Sequence, residues 1–130
     1  MDDSILSTIK AMLGLPEEYD AFDTVLVVHI NSVFSNLAMI GAAPADGFYI
    51  QDKYAKWADF FSGTTALQNV KTLMYLRVRL LFDPPATSFG ISAMERQAER
   101  EEWLLSVQEN VFNPLAYARY MEVITDAAAE

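Results

Sequence analysis

The sequence of 130 residues contains no cysteine and a single histidine, His29. The absence of cysteine excludes a disulfide framework, thiol catalysis and any metal site with cysteine ligands. One histidine is too few for an H-x-x-x-H zinc pair or for a di-metal bundle with Glu-x-x-His on two helices, and no Ser-His-Asp arrangement can be built around it. Glycine-rich loops of the kinds that cradle phosphates do not occur either. We therefore expect neither enzyme activity nor a cofactor or bound metal.

Basic residues are also scarce: nine Lys and Arg stand against eighteen Asp and Glu, for a formal net charge of −9. Binding to phosphates depends on cationic side chains, so this balance argues against a dedicated nucleic-acid binder. No apolar run reaches the roughly 18 residues of a membrane span, and the first twenty residues are acidic, unlike a signal peptide. The sequence therefore predicts a protein that is neither exported by a standard signal nor embedded in a membrane.

What the sequence does contain is a large apolar share, 52% of its residues, in a chain long enough for one domain. Apolar residues recur at helical spacing in four segments, which predicts an all-α fold: a small antiparallel bundle of four main helices over residues 1–108. Residues 109–130 form a separate C-terminal arm or an extra helix. The predicted helices begin at Asp3 or Ser4, at Asp20 or Asp23, after a cap at Thr64 or Thr65, and at Ile91, and they end at Gly14, Gly41, Asp83 and Gln108.

Between the second and third helices, residues 42–63 do not keep a helical period. Phe48 and Ile50 alternate with polar residues, which indicates a loop with a short extended piece. Large aromatic residues follow it, and we expect Trp57, Phe60 and Phe61 to cover the bundle as a lid, because burying such side chains is favourable.

The third predicted helix is the central one, and its apolar stripe contains Leu67, Val70, Met74, Val78 and Leu81, widened by Leu73 and Leu80. Arg77 falls on the buried side of the same helix, where a guanidinium group is costly unless it is paired. Glu101 lies within the inner face of the last helix. We predict a buried ion pair between Arg77 and Glu101, with the alternative that both side chains extend to the rim of the bundle.

Two helices carry large side chains on the faces turned away from the predicted core. Val28 and Met39 lie on the far side of the second helix, where a monomer would normally have polar groups. Trp103 lies outside the core beside Arg96 and Arg100, a composition typical of an intersubunit hot spot, although a surface cation-π cluster would have the same one. We predict that these five residues form a subunit interface.

Five segments, in this order, resemble the small head-tail connector (adaptor) proteins of tailed bacteriophages: HINSVFSNLAMIGAAPADGFYI, WADFF, VKTLMYLRVRLLFDPP, SFGISAMERQ and EEWLLSVQ. The resemblance covers about Ile5 to Gln108. It implies a structural virion protein of the neck, assembled in the host cytoplasm. Such proteins form a ring, typically of twelve copies, under the portal protein; the ring extends the DNA channel and docks the next neck component, a stopper or tail-completion protein. DNA passes through the lumen without sequence-specific binding.

The resemblance also implies contacts along the ring axis, and we expect them at the helix stop and in the C-terminal arm, with the arm on the portal side. The residues are Asp83, Pro84, Pro85, Phe112, Leu115, Tyr117 and Tyr120. Two alternatives remain. One is a small acidic helical regulatory or protein-binding module, with Lys71, Arg77 and Arg79 as its nearest basic recognition residues. The other is an enzyme with a carboxylate site in the bundle core that depends on Glu101.

Overall fold

The computed structural model describes residues 3–43, 47–60 and 65–107. Within these ranges the chain forms five helices and no strand, so the all-α prediction is confirmed, with four main helices and one short one. The helices are α1 (Ile5–Met12), α2 (Asp23–Met39), α3 (Trp57–Phe60), α4 (Thr65–Phe82) and α5 (Ser88–Val107). Among them, none is both long enough and apolar enough to cross a membrane.

The helix ends follow local chemistry. Ser4 caps α1, because its Oγ accepts a hydrogen bond from the Ser7 amide at 3.2 Å. Gly14 and Gly41 follow the ends of α1 and α2 with φ values of +81° and +80°, the left-handed conformation that glycine adopts without strain. The predicted cap at Thr64 lies outside the described residues.

The start of α5 differs from the prediction, which placed it at Ile91. The helix begins at Ser88, because the Thr87 Oγ1 accepts a hydrogen bond from the Gly90 amide at 3.0 Å and caps the first turn. A Cβ at Gly90 would lie 2.9 Å from the Cβ of Pro85, so glycine permits the tight approach of the connection to the new helix. The stop of α4 at Phe82, ahead of two prolines, is confirmed.

The central helix is α4, which packs against both α2 and α5. Helix α1 packs on α2 and α4. The Phe22 and Phe82 rings lie 5.1 Å apart, so the end of α4 meets the start of α2 and the two helices are antiparallel. A short connection makes α5 antiparallel to α4 as well. Both α2 and α5 pack on α4, and they contact each other little.

An aromatic cluster fills one end of the core. The Phe34 ring lies 4.9 Å from Phe48, 6.4 Å from Trp57 and 4.9 Å from Phe60, centre to centre. The Trp57 indole donates a hydrogen bond to the Thr8 Oγ1 at 3.1 Å, which satisfies the polar atom of this buried ring. Trp57 and Phe60 are buried, as expected of a lid. Phe61 lies outside the described residues.

The segment of residues 47–56 is irregular and is fastened to α2 by one side chain. Asn31 Oδ1 accepts a hydrogen bond from the Ile50 amide at 2.7 Å, and Asn31 Nδ2 donates one to the Ile50 carbonyl at 2.9 Å. The asparagine thus bonds both backbone groups of Ile50, as a neighbouring strand would, and Ile50 itself is buried. The predicted alternation of buried and exposed residues is present here without a strand.

The central helix differs from its predicted stripe at two positions. Leu81 was expected inside, but its side chain is 55% exposed, whereas Leu76 is buried. The prediction assumed one buried stripe, and α4 has neighbours on two sides, so its buried surface is wider and reaches Leu76. Arg77 does form an ion pair with α5, but its partner is Glu102 and not Glu101.

Candidate interaction surfaces

The outer face of α2 is exposed and uncharged. We call it the α2 edge: Val25, Val28, Ser32, Ser35, Asn36 and Met39. Val28 is 58% exposed and Met39 is 73% exposed. The only formally charged residue of α2 is Asp23, in its first turn. On a chain with a net charge of −9, this edge is a conspicuous apolar and neutral surface, consistent with contact to another protein.

The outer face of α5 has a different composition. We call it the α5 edge: Phe89, Arg96, Arg100 and Trp103, which share one side of the helix, opposite the buried Ala98 and Leu105. Phe89 is 78% exposed and Trp103 is 45% exposed. Within the described residues, neither arginine forms a salt bridge or a side-chain hydrogen bond.

The predicted interface residues therefore divide into two surfaces. Arg96, Arg100 and Trp103 share one face of α5, the α5 edge, and Val28 and Met39 share one face of α2, the α2 edge. These two helices contact each other little. Sequence reasoning missed Phe89, because the residue was assigned to a loop; its signal was the spacing of seven residues before Arg96, which is two turns of helix.

A pocket of about 460 Å³ borders the α2 edge at Val28. Its lining combines the apolar Leu6 and Val27 with Lys53, Tyr54 and five carboxylates, those of Glu17, Glu18, Asp20, Asp23 and Asp52. We call it the acidic pocket. Within the described residues, no group of three or more His, Cys, Asp or Glu side chains is arranged to hold a metal ion.

A nearly buried lysine holds one wall of the acidic pocket. Lys10 Nζ donates a hydrogen bond to the Glu17 carbonyl at 2.9 Å and lies 3.0 Å from Asp23 Oδ1. The contact to Asp23 is an ion pair by distance, although that oxygen has no aligned hydrogen bond. Ser7 Oγ also donates to Glu17 Oε1 at 2.6 Å. No spacing pattern in the sequence indicates this cluster, because it joins α1 to the start of α2 across a loop.

A second concavity, a groove of about 480 Å³, lies between α2, α4 and α5. Arg77 and Glu102 line it and form a bidentate pair, with Nε to Oε2 at 3.2 Å and Nη2 to Oε1 at 2.8 Å. The exposed Leu81 and the neighbouring Ile91 line it as well. The predicted partner, Glu101, faces elsewhere, and its Oε2 is buried with no hydrogen-bond partner among the described residues.

The helix stop after α4 is exposed at Asp83 and Pro84 and half-buried at Pro85. Arg79 braces it, donating hydrogen bonds to the Asp83 carbonyl at 3.2 Å and to the Tyr75 hydroxyl at 3.0 Å. The hydrogen bond with Tyr75 raises the pKa of Arg79, so its guanidinium stays charged. The other predicted axial residues lie outside the described residues; they are Phe112, Leu115, Tyr117 and Tyr120.

One protein-family model matches the chain: its description is phage connector protein, and the match covers residues 5–111. The matched range contains all five helices, both edges and the acidic pocket. Neither the curated proteins nor the solved structures gave a significant match.

Proposed function

Because the chain belongs to the phage connector protein family, we propose that it is a structural protein of the virion neck that forms a ring under the portal. In this role it extends the DNA channel and docks the next neck component, a stopper or tail-completion protein. The family match over residues 5–111 is the observation that carries the proposal. Assembly takes place in the host cytoplasm, and the function is architectural, so it requires no catalytic residue or cofactor.

The two edges support a cyclic assembly. A ring is built from a heterologous interface, in which one surface of a protomer contacts a different surface of the next. The α2 edge and the α5 edge differ in composition and lie on two helices that contact each other little. We propose that the α2 edge of each copy packs on the α5 edge of its neighbour, in a ring of twelve copies as the family resemblance implies.

The charge of the chain supports passage of DNA without binding. With a net charge of −9, most exposed surface repels phosphates. The basic residues nearest to a recognition helix are engaged inside the protein: Lys71 lies over the Trp57 ring, Arg77 pairs with Glu102, and Arg79 braces the helix stop. These contacts argue against the alternative of a nucleic-acid regulator.

The ends of the bundle are the proposed axial surfaces. The helix stop of Asp83, Pro84 and Pro85 lies at the end of the molecule where α4 stops and α5 begins, and Val107 lies at the opposite end of α5. The arm of residues 109–130 follows from that opposite end. We assign the arm to the portal side and the helix stop to the next neck component.

Mass photometry of the purified chain, alone and mixed with the portal protein of the same phage, tests the proposal. We expect a closed ring, alone or on the portal only, since an interface too weak to close by itself closes when a partner adds contacts. Mixing with an unrelated phage portal is the control and should give no ring bound to that portal. A chain that stays monomeric and never joins its portal would refute the proposal.

A further inference from the structure

The two edges match in length and in the order of their side chains. Each spans 15 residues, Val25 to Met39 and Phe89 to Trp103, or about 21 Å of helix. The α2 edge is apolar at both ends and polar in the middle, at Ser32. The α5 edge is aromatic at both ends and carries its arginines in the middle.

Among the residues that the structure describes, the arginines of the α5 edge have no ion-pair or side-chain hydrogen-bond partner in their own protomer. Arg96 and Arg100 are one helical turn apart, so their like charges repel each other in the isolated chain. Two whole protomers with a net charge of −9 each also repel. Association of copies therefore requires local charge complementarity strong enough to offset this repulsion.

The acidic pocket supplies that complementarity next to the apolar edge. Val28 belongs to both the α2 edge and the pocket lining, so the two surfaces are continuous. Of the five carboxylates, Glu17 and Asp23 are engaged by Ser7 and Lys10. The exposed Glu18 and Asp20 have no side-chain partner within the described ranges and stay available.

We infer that the acidic pocket of one copy receives Arg96 and Arg100 of the next copy, while Trp103 covers the apolar surface at Val28. The occupant of the pocket is a second copy of this chain. The inference rests on the proposed ring and adds to it a site that is completed only when two protomers meet. It also gives a role to Arg96 and Arg100, which have no partner within residues 3–43, 47–60 and 65–107 and lie between the exposed Phe89 and Trp103.

A charge swap tests the inference by mass photometry on the portal of the same phage, with circular dichroism to confirm folding. The variant Arg96→Glu/Arg100→Glu and the variant Glu18→Arg/Asp20→Arg should each weaken ring formation at least about tenfold, since each leaves charges of one sign facing each other. A chain that carries all four substitutions keeps a net charge of −9 and should regain most of the assembly.

A matched control tests whether the effect on the ring depends on where the charge is changed or only on the change in net charge. Arg100→Glu and Lys56→Glu change the net charge equally, and Lys56 is exposed outside both edges and outside the pocket. We expect only Arg100→Glu to weaken the ring. If the wild-type chain forms no ring, the proposed function fails and this assignment with it. If the wild-type ring forms and the variants assemble equally well, or the four-fold swap gives no recovery, only the pocket assignment is overturned.

Discussion

The outer faces of α2 and α5 belong to the same small protein, yet they are built from opposite chemistry. The α2 edge has no charged residue, whereas the α5 edge pairs two arginines with two aromatic residues. A helix with an ordinary solvated face has charged groups opposite its core stripe. Helix α5 follows this pattern in part, because Glu95 and Glu99 are exposed beside its edge. Helix α2 has no charged residue on its outer face. The difference shows that the outer face of α2 lacks the charged groups of an ordinary solvated face.

The two faces of α2 provide the largest contrast. Phe34→Ala should destabilise the monomer by about 3 to 5 kcal/mol, because it removes a fully buried ring that contacts three other aromatic side chains. Val28→Ala, on the outer face of the same helix, should change the stability by less than about 0.5 kcal/mol. Urea denaturation of both monomeric variants measures this. Equal losses would mean that the outer face is part of the core.

A charge introduced on the α2 edge should prevent ring formation. Val28→Glu should abolish ring formation on the portal while the monomer keeps its fold, because a carboxylate would be desolvated in the proposed contact and lies beside an acidic pocket. Mass photometry measures the ring. Gln68→Glu adds the same charge at an exposed position of α4 and should assemble normally. Normal assembly of the Val28 variant would exclude the α2 edge from the interface.

The α5 edge should respond less completely. Trp103→Ala should lower the affinity of ring formation by about 2 kcal/mol, or roughly thirtyfold, as expected for an aromatic hot-spot residue beside charged groups. Trp103→Phe should retain part of the affinity, because a ring of similar shape remains. The measurement is titration of the portal with each variant, followed by mass photometry. An unchanged midpoint for the alanine variant would show that Trp103 is an ordinary surface residue.

Local patterns predicted much of this fold. Helical spacing and terminal signals located the four main helices, because Gly14, Gly41 and the two prolines after Asp83 act within a few residues of where they stand. The inner face of α2 was also predictable, because its buried residues fall on a single stripe of the helix. The outer faces were recognisable as unusual from composition alone, although composition does not say which surface covers them.

What the sequence did not predict depends on contacts between distant segments. The hydrogen bonds between Asn31 and Ile50 join residues whose spacing follows no helical or strand period. The same is true of the ion pair between Lys10 and Asp23. The exposure of Leu81 depends on how α4 is rotated between two neighbours, which a single-helix pattern does not contain. The choice of Glu102 over Glu101 has the same origin, because adjacent residues on a helix differ by about 100° in direction.

The pairing of Arg77 with Glu102 and not with Glu101 gives the smallest expected effect. It concerns the partly buried charges of α5, as distinct from the exposed Arg96 and Arg100. Glu102→Gln should cost about 1 kcal/mol of monomer stability, because Arg77 loses a charged bidentate partner at a site about three quarters buried. Glu101→Gln should be neutral or slightly stabilising, since it neutralises a carboxylate whose Oε2 is buried without a hydrogen-bond partner in the described part of the chain. Chemical denaturation of the two monomers measures the difference. A larger loss for Glu101→Gln would restore Glu101 as the partner of Arg77, whereas the expected order assigns the inner pair to stability and leaves Arg96 and Arg100 to assembly.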